Sequence, residues 1–213
     1  TDFIPRSGVR SGDRVIAYEE AVQILVSAID RIAVDNATGS AVCATVQAES
    51  TLGNVEEMTA RGEREGRILR HASPVANPDY PDARTCSPVL IESEPDNEDF
   101  YGEERFGPIG FVIPVETAEE GVERATRQAR SRGAISSYLY STDEDFIEKA
   151  LPAYIAAGAS VSVNIDGGMP VNFMAAYSDY HVTGLNPAGN ASLTDLAFVA
   201  PRFRVVQTRR KAG

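Results

Sequence analysis

The sequence has no tryptophan and only two cysteines and two histidines in 213 residues. Two thiols, Cys43 and Cys86, are too few for a disulfide framework or a zinc site, and they read as reduced thiols of a cytoplasmic protein. Neither lies in an electropositive, partly exposed setting that would make it reactive, so both are expected to be structural. His71 and His181 fall on unrelated segments with no nucleophile motif beside them, which predicts surface or loop positions and no acid–base pair. No apolar run approaches the roughly 20 residues that span a bilayer, and no secretory pattern opens the chain. Basic residues are the minority: 20 Lys and Arg against 31 Asp and Glu give a net charge of -11 and a pI near 4.7. Such a surface repels nucleic acid and anionic membranes, so neither is an expected partner. The acidic run over 92–98 lacks calcium-loop spacing and reads as a solvated face, so no metal is expected. Repeats, low-complexity segments and a glycine-rich G-x-G-x-x-G turn are all missing. So is an initiator methionine: the opening Thr1-Asp2-Phe3-Ile4-Pro5 looks like a strand end and suggests a piece cut from a longer polypeptide.

What is present is an ordinary globular composition, 43% hydrophobic and 24% charged, with enough length for one sizeable core. Helical periodicity runs over 17–34, with Val22, Leu25, Ile29 and Ile32 on one stripe and Ala21, Ile24 and Ala28 beside it. Asp35-Asn36 with Gly39 should end that helix, and 41–46 is of uncertain type. Asn54-Val55-Glu56-Glu57 reads as a capping box opening a short polar helix that stops near Gly66. Residues 67–71 look like an edge strand. Residues 73–84, carrying Pro74, Pro78 and Pro81, should be irregular. Strands are expected at 87–91, 109–115, 135–140 and 160–165. A capping box at Thr117-Ala118-Glu119-Glu120 should open a helix to about 132, closed by Gly133. Thr142 should cap the next helix, Pro152 should kink or split it, and Gly158 should end it. Strand, helix, strand, helix, strand over 109–165 implies right-handed parallel crossovers, hence an α/β domain. The segment 167–189 has little periodicity and reads as a functional or partner-packed loop. Residues 203–207 form a closing strand, followed by a solvated basic tail at Arg209-Arg210-Lys211.

The stretch that organises the chain is Glu103-Glu104-Arg105-Phe106-Gly107-Pro108-Ile109. It places two carboxylates at the end of a polar, helical segment, an aromatic at a Gly-Pro turn, and then a buried strand. Two readings fit these residues. In one, a solvated Glu pair precedes a core phenylalanine. In the other, acids and a flat ring stand at a sheet rim, where α/β proteins bind ligands; the carboxylate accepts ribose hydroxyls and the phenyl face packs on a heterocycle.

This stretch resembles the E-E-x-F-G-P motif of the aldehyde dehydrogenase superfamily. The likeness continues in order through Glu120 to Ala125, Gly133 to Thr142, Ala157-Gly158, and Val161 to Asn164. By position, the resemblance implies that Glu104 binds the nicotinamide-side ribose of NAD or NADP and that Phe106 packs near the nicotinamide. A weaker match over 176–184 would put Tyr177 by the substrate tunnel, with His181 in place of a lysine. The run 184–200, with Asn186-Pro187-Ala188-Gly189-Asn190 and Thr194-Asp195-Leu196-Ala197-Phe198, resembles the PaaN-type branch, the aldehyde dehydrogenases of phenylacetic acid degradation.

The fold implied is a three-layer α/β catalytic domain, a mainly parallel sheet flanked by helices. Residues 1–202 would form its C-terminal portion, and 203–213 an oligomerisation strand and basic tail. The activity implied for the parent is NAD(P)-dependent oxidation of a small-molecule aldehyde, such as a semialdehyde of phenylacetate degradation, to the acid. The nucleophilic cysteine, the general base and the nucleotide-binding domain would lie upstream, in the N-terminal half of the parent chain. The isolated segment is then expected to be inactive and to contain no catalytic residue. Two further readings stay open: a non-catalytic module that forms a homo-oligomer through its last strand, and an acyl-CoA-forming or glutamyl-phosphate-reducing member of the same superfamily.

Overall fold

The computed structural model describes residues 1–134, 136–165 and 208–210, which divide into two compact units, Thr1–Ala118 and Glu119–Gly213. In the first unit the elements run β1 (Asp2–Pro5), β2 (Val9–Ser11), β3 (Arg14–Ile16), α1 (Tyr18–Val34), α2 (Asn36–Val42) and β4 (Ala44–Thr45). They continue with α3 (Glu49–Glu65), β5 (Arg67–Arg70), β6 (Thr85–Cys86), β7 (Val89–Glu92), α4 (Glu98–Tyr101) and β8 (Ile109–Val115). Its main sheet has the order β1-β8-β7-β5. The first three strands are mutually parallel, and β5 takes the edge position its sequence suggested, antiparallel to β7.

The central strand explains the layering. Almost every residue of Ile-Gly-Phe-Val-Ile-Pro-Val is apolar, so β8 can be buried on both faces, as parallel strands require. Because side chains alternate across a strand, Phe111, Ile113 and Val115 join Val89 and Ile91 on one face, against Val55 and Met58 of α3 and Phe100 and Tyr101 of α4. Val112 and Leu90 point to the opposite face and pack against Tyr18 and Val22 of α1. Helices thus cover both sides of a largely parallel sheet, which is the α/β architecture expected. Pro114 is tolerated because the β7 ladder ends at Glu92↔Val112; Val112 still accepts from Ser93 N (3.2 Å), but no further β7 rung needs a donor from Pro114.

In the second unit α5 (Ala118–Arg132), which begins on the boundary, is followed by β9 (Ser136–Leu139), α6 (Glu144–Ala157), β10 (Ser160–Val163) and β11 (Thr208–Arg210). Both β9 and β11 pair parallel with β10. Val122 and Ala129 of α5, Ile147, Ala150 and Tyr154 of α6, and Leu139, Val161 and Val163 of the sheet make its core. Gly158 ends α6 at φ +73, a left-handed position where a side chain would be strained.

Several sequence expectations change. The helix placed at Asn54 starts earlier, at Glu49, so Asn54 lies inside α3 and is no cap. Gly39 sits within α2, and the stretch of uncertain type is the end of α2 followed by β4. Ile24, expected beside the apolar stripe of α1, is exposed. The helix before the acids is one turn, Glu98–Tyr101, leaving Glu103 and Glu104 beyond it. Asp143 caps α6 in place of Thr142, its carboxylate accepting from Phe146 N (3.0 Å). The helix runs unbroken through Pro152, whose side is exposed, so water can serve the carbonyl that the missing N–H leaves unbonded. The crossover run over 109–165 is divided among the described ladders: β8 pairs with β1 and β7, and β9 with β10. Arg209 and Arg210, read as a free tail, belong to β11, and the Arg210 guanidinium pairs with Glu144 (2.9 Å) and Glu148 of α6. The loop at 167–189, with Tyr177 and His181, and the strand at 203–207 lie outside the described residues. Among the described residues no helix is long and apolar enough to cross a membrane.

Candidate functional site

The turn from Glu103 to Ile109 joins α4 to β8 and is built on an aromatic base. Phe100 and Tyr101 are buried, stacked edge-on and tilted against Phe111 with centroids 5.1 Å and 6.4 Å apart, and Phe3 meets Tyr101 at 6.2 Å. The Tyr101 hydroxyl donates to the Pro95 carbonyl at 2.6 Å, and the Arg61 guanidinium lies 4.8 Å over the Phe100 ring. Beyond that base the chain turns outward. Gly107 takes φ +140 and lies so close to α3 that a Cβ there would stand 3.2 Å from Val55 Cγ2 and 3.5 Å from the Thr51 carbonyl oxygen. The Pro108 carbonyl accepts from Val89 N at 3.0 Å and so starts the pairing of β8 with β7.

This anchoring leaves Phe106 projecting. Its side chain is 71% exposed, which removes the reading of a core phenylalanine. Its backbone carbonyl is held by Asn54 Nδ2 of α3 at 3.2 Å. Glu104 is exposed beside it. Glu103 accepts from Arg105 at 2.6 Å, and Arg105 Nε is buried without a hydrogen-bond partner among the described residues. One carboxylate of the pair is thus tied to the neighbouring arginine, and the next stands outward beside a bare ring. Since Val89 faces Ile109, the turn lies at the amino ends of β7 and β8 and not at the carboxyl ends that the general α/β rule favours. What exposes the acid and the ring is docking on α3. Asn54, Thr51 and Val55 could not be read from the sequence as that cradle, because a contact across 52 residues leaves no local pattern and Asn54 reads there as a helix cap.

The remaining candidates lie elsewhere. Cys86 is buried in β6, and burial, with Cys43 nearby, pushes its thiol above the ordinary value, so it stays protonated at neutral pH. Cys43 is half-buried at the end of α2. His71 lines an open groove of about 380 Å³ with Glu56 and Glu63 of α3. Among the described residues no group of three or more His, Cys, Asp or Glu side chains could hold a metal ion. In the second unit Asn164, at φ 53, grips Ser141 by two hydrogen bonds (2.8 and 2.9 Å) and ties the end of β10 to the turn before α6.

An acid–aromatic turn is thus displayed at the rim of a sheet covered on both faces by helices. Residues 14–174 match the model of the aldehyde dehydrogenase family, and the chain belongs to that family. No curated protein matches it. Among solved structures it is similar to an NAD-dependent aldehyde dehydrogenase from Burkholderia multivorans, with 33% identity and a TM-score of 0.79 over 94% of this chain. The match takes in 35% of that protein, so the chain spans about a third of its relative's length.

Proposed function

We propose that this chain forms one wall of the active site of an NAD(P)-dependent aldehyde dehydrogenase. The observation that carries the reading is the Glu103–Ile109 turn, which displays an exposed carboxylate and an exposed ring side by side on a rigid base. The residues suit the group: the Glu104 carboxylate can accept both hydroxyls of the nicotinamide ribose, and the Phe106 face can pack on the nicotinamide. When bound, the dinucleotide supplies the acceptor for the hydride that leaves the aldehyde carbon. The chain's own task is positioning: Glu104 fixes the ribose, Phe106 keeps the ring from swinging away, and Arg105 holds Glu103 so that the adjacent carboxylate is not drawn into its ion pair. On this reading the attacking thiolate comes from the N-terminal half of the polypeptide, since Cys86 is held as a buried thiol and Cys43 sits at a helix end.

The substrate class we propose is a semialdehyde of phenylacetate degradation, supported by the 184–200 sequence, with Tyr177 at the substrate entrance. The test is Glu104→Gln in the complete polypeptide, assayed with NAD and NADP against a panel of aliphatic and aromatic semialdehydes. A rise of about tenfold or more in KM for the preferred dinucleotide, from a lost charge-assisted hydrogen bond, is expected. An unchanged KM overturns the assignment of Glu104. Free acid as product separates this reading from an acyl-CoA-forming enzyme. A second reading is assembly into a homo-oligomer through the closing strand at 203–207; in its favour, β11 just beyond it adds to the β10 edge over three residues, by backbone pairing together with the ion pairs of Arg210 to Glu144 and Glu148.

A further inference from the structure

We infer that Asn54 is a positioning residue for cofactor binding: through its side-chain amide, α3 sets the direction in which Phe106 and Glu104 face. This rests on the reading of that turn as the dinucleotide wall. Asn54 lies in the interior of α3, where asparagine is a weak helix former whose side chain prefers local backbone partners. Here its Nδ2 instead donates to the Phe106 carbonyl, 52 residues away in the chain, at 3.2 Å. That carbonyl belongs to the peptide unit linking Phe106 to Gly107, whose φ of +140 gives it a wide choice of orientations. On the inner side Val55 and Thr51, neighbours of Asn54 on α3, lie so near that a Cβ at Gly107 would stand 3.2 Å from Val55 Cγ2 and 3.5 Å from the Thr51 carbonyl oxygen, so the bare glycine lets the turn lie close against α3. The later peptides of the turn are held by Ile109 N on the Gly107 carbonyl (2.9 Å) and by Val89 N on the Pro108 carbonyl, and the Phe106–Gly107 peptide is held in its orientation by the hydrogen bond from Asn54. With that bond removed, the peptide can rotate about Gly107 and carry the exposed ring with it, while the buried base of Phe100, Tyr101 and Phe111 is unaffected.

The prediction is specific to binding. In the complete dehydrogenase polypeptide, Asn54→Asp keeps the size of the side chain but replaces the donor with an acceptor, and Asn54→Ala removes it. Both should raise KM for the nicotinamide dinucleotide about three- to tenfold, the range one neutral hydrogen bond supports, with Asp the worse. The KM for aldehyde and the thermal midpoint should be nearly unchanged, because Asn54 is not part of the buried core. Asn54→Gln, which retains the amide donor on a longer arm, should recover part of the loss. Glu104→Gln is run alongside. If Glu104→Gln raises the cofactor KM and the Asn54 variants leave it unchanged, the role of Asn54 is overturned and the wall stands. If Glu104→Gln also has no effect, the reading of the turn itself fails. A fall in thermal midpoint that accounts for parallel losses in every kinetic parameter would make Asn54 merely structural and overturn the inference as well.

Discussion

At the scale of single residues, the electrostatic centre of the first unit lies away from the acid–aromatic turn, where Glu92 at the end of β7 meets Arg67 of β5 and Tyr18 of α1. Arg67 gives Glu92 two hydrogen bonds (2.9 and 2.7 Å) and also reaches Glu19, while the Tyr18 hydroxyl donates at 2.5 Å. Burial by itself would raise the Glu92 carboxyl, but the Arg67 and Tyr18 hydrogen bonds outweigh it and hold it below its ordinary value. Burial, then the Glu92 carboxylate, push the Tyr18 hydroxyl upward, so it remains a donor throughout the physiological range. A carboxyl whose folded value is depressed stabilises the fold above its unfolded value and loses that contribution as pH falls through the folded one. Chemical denaturation should therefore show stability dropping as pH falls below about 4.5, and Glu92→Gln should flatten part of that slope while lowering stability at pH 7. An unaltered slope in the variant would mean that other carboxylates carry the acid sensitivity. Nothing in the sequence around Glu92 marked this triad, which read only as the start of a solvated acidic run; its partners come from 74 residues before and 25 residues before.

At the scale of elements, local pattern located most helices and strands and misplaced their ends. The stripe through Val22 and Leu25, the apolar run of β8, and the glycines after α5 and α6 are short-range signals, and each element stands where its signal put it. At α6 both Thr142 and Asp143 are chemically able to cap the helix, and the path of the preceding chain selects Asp143, whereas α3 begins behind Ala48 with no side-chain cap, so its start carries no capping signal to read. Pro152 is the sharpest departure, since a proline inside a helix forfeits a hydrogen bond and crowds the previous turn. In α6 the cost is borne because Ile147, Ala150 and Tyr154 are buried along one face, while Pro152 lies on the exposed side. Pro152→Ala should accordingly stabilise the protein, by about 1–3 kcal/mol on helix propensity, read as a higher denaturation midpoint with an unchanged m value. A loss of stability would show that the proline shapes α6 for its packing.

At the scale of the molecule, the first unit has a layered core and displays the Glu103–Ile109 turn at its sheet edge, and the chain covers about a third of the length of the solved structure it resembles. On the proposed function, residues 1–213 alone should oxidise no aldehyde with either NAD or NADP, measured by dinucleotide absorbance at high protein concentration. Turnover by this segment would overturn the division of labour proposed here, and a dimeric mass by light scattering would favour assembly through the last strand. The sequence by itself determined the α/β class, the parallel pairing of β9 with β10 and the place of the Glu103–Ile109 turn, because alternation, helical period and turn residues act over a few neighbours. Only the tertiary structure decided that Phe106 is bare, that Glu103 is tied to Arg105 beside an outward Glu104, and that Asn54 holds the turn. The Glu103–Arg105 pair is a choice among local rotamers, whereas the hold of Asn54 on Phe106 joins residues 52 positions apart at 3.2 Å, and that proximity is set by packing of the turn against α3, not by any local preference of the chain.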